Sequence, residues 1–295
     1  MAYNNEQIRI LTKTDEYAIE RLLRTSEYIY QRFTATELPL LLTRYPAVGA
    51  FSGSSLYSFL LSQTLNAPSA WLGGFGISWT ESRSYIGLLT SLLEALEEQL
   101  RRRGVRYLHY SGNDIEHDWL RTVLIKQNFL PFRNLYAYDK YDMAIPTAGN
   151  LAVTLRPVNL RSTSEQPLGD MPALLRLEEL CFEDLWRYDA TAFQDIAATH
   201  PYFVVVEWEG KVVGYQFNAL DDEFGYLIRI AVDPAFERKG IGARLMAEAI
   251  RFFERSRVSR IMLNTQEDNY HAHRLYEWFG FIRLQPMGFV MRKYL

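Results

Sequence analysis

One order of elements runs along this chain twice, and no other feature limits its possible folds so tightly. In the later part, "YFVVVEW" and "KVVGYQF" flank the dipeptide "EG" and read as two strands joined by a tight turn, with a glycine available for positive φ. There follow the strand-like run "GYLIRIAV", a loop holding two glycines, the helical stretch "ARLMAEAIRFFERS" and the strand "SRIMLN". "VGAFSGSSLYSFLL", residues 48–61, repeats the hairpin with "SG" where "EG" stands later. Residues 75–100 repeat the strand, loop and helix, "RYLHYSGND" repeats "RIMLNTQED", and "WLRTVLIKQNFLPF" is similar to "HAHRLYEWFGFIRL". The two loops, 82–87 and 237–242, lie 155 residues apart. With "LAVTLRPVN", "MPALLRLEELCF" and the closing runs "FIRLQP" and "GFVMRKYL" added, the expected order in the later copy is β-α-β-β-β-α-β-α-β-β.

A duplicated α/β (α+β) unit fits the length, since 295 residues suit two cores of roughly 150 residues each. The Pro- and Gly-containing run "AIPTAGN", 144–150, marks the boundary. The expected domains are therefore 1–147 and 148–295.

Charge and composition remove several classes of function. A net charge of -3 leaves no footprint for nucleic acid, and Arg101–Arg103 closes a predicted helix, where cations suit the dipole. No run of about 18 apolar residues offers a membrane span, and "MAYNNEQIRI" lacks the form of a leader, so the chain reads as cytoplasmic. The single cysteine, Cys181, sits in "LEELCFED", which resembles a helix core position more than an activated thiol. His271 and His273 are two apart on a predicted helix and point to different faces, so no metal site is expected.

The loop in "AVDPAFERKGIGARLM", 231–246, carries the chemistry. A strand passes there into a helix whose first amides lack intrahelical partners, so N–H groups and the positive end of the dipole face one spot. That is an anion site suited to a pyrophosphate, with Gly240 and Gly242 permitting close backbone approach and Arg238 and Lys239 adding positive charge. Two glycines before a helix also make an ordinary turn. The preceding "IAVDP", the amphipathic helix after it, and "NYHAHRLYEWFGF" further on separate the two readings.

With those residues the later copy resembles the Gcn5-related N-acetyltransferase (GNAT) superfamily, whose "R/Q-x-x-G-x-G/A" loop holds the pyrophosphate of acetyl-CoA. The resemblance covers essentially all of 151–295 and implies two tandem GNAT-like domains, each a mixed, mostly antiparallel sheet flanked by helices. It further implies that the backbone of Ile230, Ala231 and Val232 lines the pantetheine arm. Arg238, Lys239, Gly240, Ile241, Gly242 and Ala243 would cradle the phosphates, and Asn269 would contact the CoA arm or serve as a plain helix N-cap. Glu237 stands where the family often has Gln or Arg, which bears on affinity.

Acetyl transfer to an amine needs a neutral amine, donors for the developing oxyanion and a proton for the departing thiolate. Tyr276 matches the family's general-acid tyrosine, though a packing tyrosine fits the same pattern. The oxyanion donor would be a backbone N–H on the strand ending at Val232. For the base, Asn264 stands where related enzymes often carry Glu; Glu223, acting through a water, is the next candidate, and Glu183 and Asp184 follow. In "DDEFG" a solvated turn carboxylate competes with that role for Glu223. Trp186, Arg187 and Tyr188 would wall the acceptor site or form an interface.

In the first copy Tyr85 replaces Gly240, Ser84 replaces Lys239, and Leu124 falls near Tyr276, so that copy has lost its cofactor site. The expected function is acetyl-CoA-dependent N-acetyltransfer to a small-molecule or peptide amine, with a non-catalytic acyl-CoA-binding module as the rival. No nucleic acid, membrane or metal partner is expected.

Overall fold

The computed structural model describes residues 6–66, 68–78, 85–161, 169–221 and 223–295. The first copy runs β1 (Glu6–Ile10), α1 (Glu16–Thr25), β2 (Ser26–Gln31), α2 (Leu38–Arg44), β3 (Ala47–Ser52), β4 (Ser55–Asn66), β5 (Ser69–Ser78), α3 (Tyr85–Arg102), β6 (Tyr107–Gly112), α4 (Trp119–Lys126) and β7 (Leu130–Lys140). The second runs β8 (Thr154–Pro157), α5 (Met171–Cys181), α6 (Ala190–Thr199), β9 (Tyr202–Trp208), β10 (Lys211–Leu220), β11 (Phe224–Val232), α7 (Ile241–Arg255), β12 (Arg260–Gln266), α8 (Tyr270–Trp278) and β13 (Ile282–Tyr294).

The "EG" turn folds as its residues require. Glu209 and Gly210 take φ of 51° and 77°, the positive pair that matches strand twist in a two-residue hairpin. Three features depart from expectation: each copy carries a second helix before its hairpin, α2 and α6, and two strands differ. The closing runs "FIRLQP" and "GFVMRKYL" form one continuous strand, β13, and the first copy contains the unexpected strand β2.

The compact units are not the two copies taken whole. One consists of the described residues up to Gly112 with Glu116–Phe132 and Val290–Leu295; the other is Asn113–Ile115 with Arg133–Phe289. In the first, the strand order is β1-β3-β4-β5-β6, with the end of β13 beside β6. Lys293 there donates to the buried Glu97 carboxylate, and the Leu295 amide donates to the Arg106 carbonyl at 2.9 Å. In the second, the order is β8-β9-β10-β11-β12-β7-β13, and β7 lies antiparallel to β12 from Leu135↔Gln266 to Lys140↔Ile261. Each copy thus gives its last strand to the unit built mainly from the other.

Sheet faces in the second unit follow strand and helix periodicity. Tyr215 and Phe217 of β10 pack with Leu174 and Leu177 of α5 and Phe193 of α6 on one side. On the other, α7 buries Met246, Ala249, Ile250 and Phe253, spaced three and four apart, against Tyr138, Ile261 and Leu263. The glycine loop therefore sits at the open end of a sheet covered on both faces.

Candidate functional site

The site begins where two parallel strands part. β11 and β12 pair over Phe224↔Arg260, Gly225↔Ile261 and Tyr226↔Met262, and the register ends there. β12 continues against β7, while β11 continues against β10 as far as Val232↔Gly214. A bulge helps to turn β11 away: Phe217 pairs with Arg229 but Asn218 with Leu227, so Ile228 is the extra residue. From Leu227 to Val232, one edge of β11 faces a gap.

At the end of β11 the loop is anchored by Asp233. Its amide donates to the Val213 carbonyl at 2.8 Å, and its carboxylate accepts from Ala235 N–H at 3.0 Å and from Arg176 at 2.7 Å. Burial alone would raise the Asp233 pKa, but Arg176 and the amide outweigh it and hold the carboxyl below its usual range. Arg238 and Gly240 then take φ of 57° and 74°. Gly240 is the N-cap of α7, and in its left-handed conformation an L side chain would be strained. Behind it, the Asn150 amide donates to the Gly240 carbonyl at 3.1 Å and its side chain to the Lys239 carbonyl at 2.8 Å. The first helical bond of α7 is Arg244 N–H to the Gly240 carbonyl at 3.0 Å. The amides of Ile241, Gly242 and Ala243 precede it and have no intrahelical acceptor.

These features open on one cavity of about 780 Å³. Ile230, Ala231 and Val232 line one side; Arg238, Gly240, Ile241, Gly242 and Ala243 line the glycine-loop end; Asn269 and Tyr276 line the α8 side. Lys239 does not face it: its ammonium lies over the rings of Phe236 and Trp208, 4.8 and 5.2 Å from their centroids. Asn269 caps α8 by accepting from Ala272 N–H at 3.3 Å, while still lining the cavity.

Tyr276 points from α8 into this space with its ring against Tyr138 at 5.5 Å and Phe281 at 6.1 Å. Burial, and then the neighbouring Tyr138, push its pKa above that of a free phenol. Tyr138 is itself fixed: its hydroxyl is 2.6 Å from His273 Nδ1, and His273 Nε2 is 3.1 Å from the Glu267 carbonyl. With Nε2–H donating to that carbonyl, Nδ1 accepts from Tyr138. His271, by contrast, lines the cavity, so the two histidines do face different ways, and no metal-binding group occurs among the described residues.

The candidate bases lie elsewhere. Glu223 is exposed in the turn before β11, its amide bonded to Asp221 at 2.9 Å and its carbonyl accepting from Ser259 at 2.9 Å. It stands at the far end of β11 from the cavity, roughly 23 Å of strand short of Ile230. Glu183 pairs with Arg133 at 3.0 Å, Asp184 with Arg187 at 2.6 Å, and Asn264 is exposed on β12. Glu237 is the carboxylate that lines the cavity among the described residues, and it does so at the glycine-loop end.

Side chains not singled out as site residues complete the walls. Leu180, Cys181 and Phe182 line the cavity at the end of α5, in place of Trp186, Arg187 and Tyr188. Cys181 Sγ donates to the Val232 carbonyl at 3.3 Å, and burial, with the charges of Glu178 and Asp233, pushes the thiol up to about 11. Tyr188 packs on Phe193 and Phe217, and Trp186 offers its carbonyl to Arg229 at 2.7 Å. Arg274 and Trp278 join Tyr276 from α8. The spacing of residues 271, 274, 275 and 278 along one helical face was the available signal for them.

Residues 171–281 match the Acetyltransferase (GNAT) family. The [ribosomal protein bS18]-alanine N-acetyltransferase of Escherichia coli is 27% identical over 112 residues, 38% of this chain and 74% of that protein. The mycothiol acetyltransferase of Thermomonospora curvata is 28% identical over 126 residues, 40% of this chain and 42% of that protein, so the match spans less than half of that relative. In fold, a tandem GNAT protein from the clavulanic acid biosynthesis pathway superposes over 98% of both chains with a TM-score of 0.66 at 12% identity.

Proposed function

Residues 171–281 form an acetyltransferase domain of the GNAT family, and from that premise we propose that the chain moves an acetyl group from acetyl-CoA to a primary amine of a small molecule or peptide, using the second unit. One arrangement carries the reading. Ile241, Gly242 and Ala243 at the start of α7, Ile230, Ala231 and Val232 on the open edge of β11, and Tyr276 all line a single cavity. Ile241, Gly242 and Ala243 N–H would hold the pyrophosphate with Arg238 beside them. The edge at Ile230, Ala231 and Val232 would hold the extended arm, and Asn269 its far side. Bound acetyl-CoA supplies the acyl group as an activated thioester.

The residues then divide the work of one displacement. The amine nitrogen bonds to the acyl carbon, the carbon–sulfur bond breaks, and the Tyr276 hydroxyl gives its proton to the departing sulfur. A free N–H on the open edge of β11 stabilises the oxyanion meanwhile, a contribution worth roughly 100-fold or more in rate. We assign Glu223 no step. The acceptor amine enters neutral; once bonded to the acyl carbon its nitrogen loses one further proton to solvent at the open mouth, and a proton from solvent restores the Tyr276 hydroxyl.

CoA release over a panel of amines, with intact protein and Tyr276→Phe, tests the assignment. We expect kcat to fall by roughly 100-fold or more with little change in acetyl-CoA affinity. Unchanged turnover in Tyr276→Phe would remove the acid role. The rival, a non-catalytic acyl-CoA-binding module, draws on one observation: the cavity's carboxylate, Glu237, stands at the phosphate end. Tight acetyl-CoA binding with no turnover on any amine would favour it.

A further inference from the structure

The first unit contains the counterpart of the gap described above, and its contents differ. β5 pairs in parallel with β6 over Ser69↔Tyr107, Ala70↔Leu108 and Trp71↔His109. This is the same short extent as β11 with β12. Beyond it, β5 is not open. Residues 74–77 of β5 pair with β4 on one edge, Leu61↔Gly74 to Ser58↔Ile77. The same residues pair with β2, Gln31↔Gly74 to Tyr28↔Ile77, which must therefore occupy the other edge, the one facing β6. Tyr30 carries β2 across to that strand: its hydroxyl donates to the Ser111 carbonyl at 3.1 Å, and its ring lies 4.9 Å from Tyr110.

The mouth of this filled gap is closed by aromatic rings. Tyr28 of β2 stacks on Tyr85, the first residue of α3, at 4.4 Å and 20°. Trp119, the first residue of α4, stands 5.1 Å from Tyr28 and 5.7 Å from Tyr85. These are the places where the second unit has the Gly240 loop and the start of α8. Ser84 lies outside the described residues.

One position explains why β2 fits here and has no equivalent in the second unit. Aligned on the parallel pairs Phe224↔Arg260 and Ser69↔Tyr107, Gly74 corresponds to Arg229. A Cβ at Gly74 would come 2.7 Å from the Phe33 ring and 3.3 Å from the Tyr30 carbonyl, so a bare backbone is needed. At Arg229 the guanidinium instead bonds Glu178 at 2.6 Å and the Trp186 carbonyl at 2.7 Å. It holds the segment between α5 and α6 away from the edge of β11, whereas the matching segment between α1 and α2 in the first unit is β2.

We propose that the first unit's ligand gap is permanently filled by its own β2, which takes the backbone edge an acyl-CoA arm would use, so that the chain binds one acyl-CoA. The identity of the ligand rests on the function proposed above; the filling by β2 does not. Both are read by hydrogen exchange and mass spectrometry on the full chain. Amides of 26–31 and 74–78 should exchange orders of magnitude more slowly than an unstructured segment, and saturating acetyl-CoA should leave them unchanged while protecting 230–243. Native mass spectrometry should find one acetyl-CoA per chain. Tyr85→Gly should still bind one, because the backbone of β2 remains paired, and Gly240→Tyr should bind none. Free exchange of 26–31, a second equivalent in the wild-type chain or in Tyr85→Gly, or one equivalent surviving in Gly240→Tyr would overturn the proposal. Slow exchange at 26–31 with no protection at 230–243 would support the filled gap and sink the acetyl-CoA reading.

Discussion

Tyr276 stays protonated, and its burial makes it a weaker acid than a free phenol. Its burial disfavours the phenolate, so the folded pKa is raised and the acid form persists through neutral and mildly alkaline pH. With no carboxylate among the described residues placed to accept the amine proton, the other titration in the reaction is the acceptor's own. A profile of kcat/KM should therefore rise as the acceptor amine deprotonates and then level off, without falling below about pH 10. A descending limb near neutrality would show that another group supplies the proton. Cys181 makes the opposite case: it touches the cavity, yet burial and the nearby carboxylates keep it a thiol. Cys181→Ala should leave kcat within about 2-fold, since surface and side-wall changes without a chemical role are small, and iodoacetamide should label the native protein slowly. Rapid loss of activity on alkylation at neutral pH would contradict the direct-transfer route.

At the scale of elements, the end of α5 is tied to β11 by a buried cluster. Glu178 accepts from Tyr215, from Arg229 at 2.6 Å and from the Tyr188 amide at 2.6 Å. Arg229 lies between the rings of Phe182 and Tyr188, 4.0 Å from each centroid. Arg229→Met would strand a charged Glu178 in the interior and should cost about 3 kcal/mol in urea denaturation, with Glu178→Gln in the same chain recovering part of it. A loss below about 1 kcal/mol would mean the cluster is better hydrated than its burial implies. None of this cluster could be read from sequence, because it joins Glu178 to residues 10, 37 and 51 positions away with no repeating spacing. The strand-to-helix turn at the glycines could be read, since it depends on local order: Gly240 is the N-cap of α7 and takes a positive φ. No base can be read in the same way: Glu223, a candidate for its place just before the central strand, is exposed at the end of β11 away from the cavity. β2 was missed because "SEYIYQ" follows α1 without a breaking residue, and its partner strand is set only by the tertiary gap it fills.

For the whole molecule, the exchange of last strands decides what can be cut away. β7 comes from the first copy, yet it supplies Tyr138 to the second unit's core and to the wall behind Tyr276. A fragment of 148–295 would lack that strand, leave an edge of β12 unpaired and lose the ring against which Tyr276 rests. We expect this fragment to be poorly folded and inactive by circular dichroism and CoA release, and 130–295 to recover more native signal. A well-folded, active 148–295 would show that the exchange is dispensable.

The same strand exchange also sets an order of events during synthesis. Arg106 waits for Leu295, and Glu97 for Lys293, a partner 196 positions further along. Pairings so distant in sequence are slow to form, and an edge left bare until they do is open to other chains. On the ribosome, then, the first-made half cannot close its sheet until 290–295 have emerged. Until that pairing forms the β6 edge is left bare, which exposes it to misassembly and to chaperones.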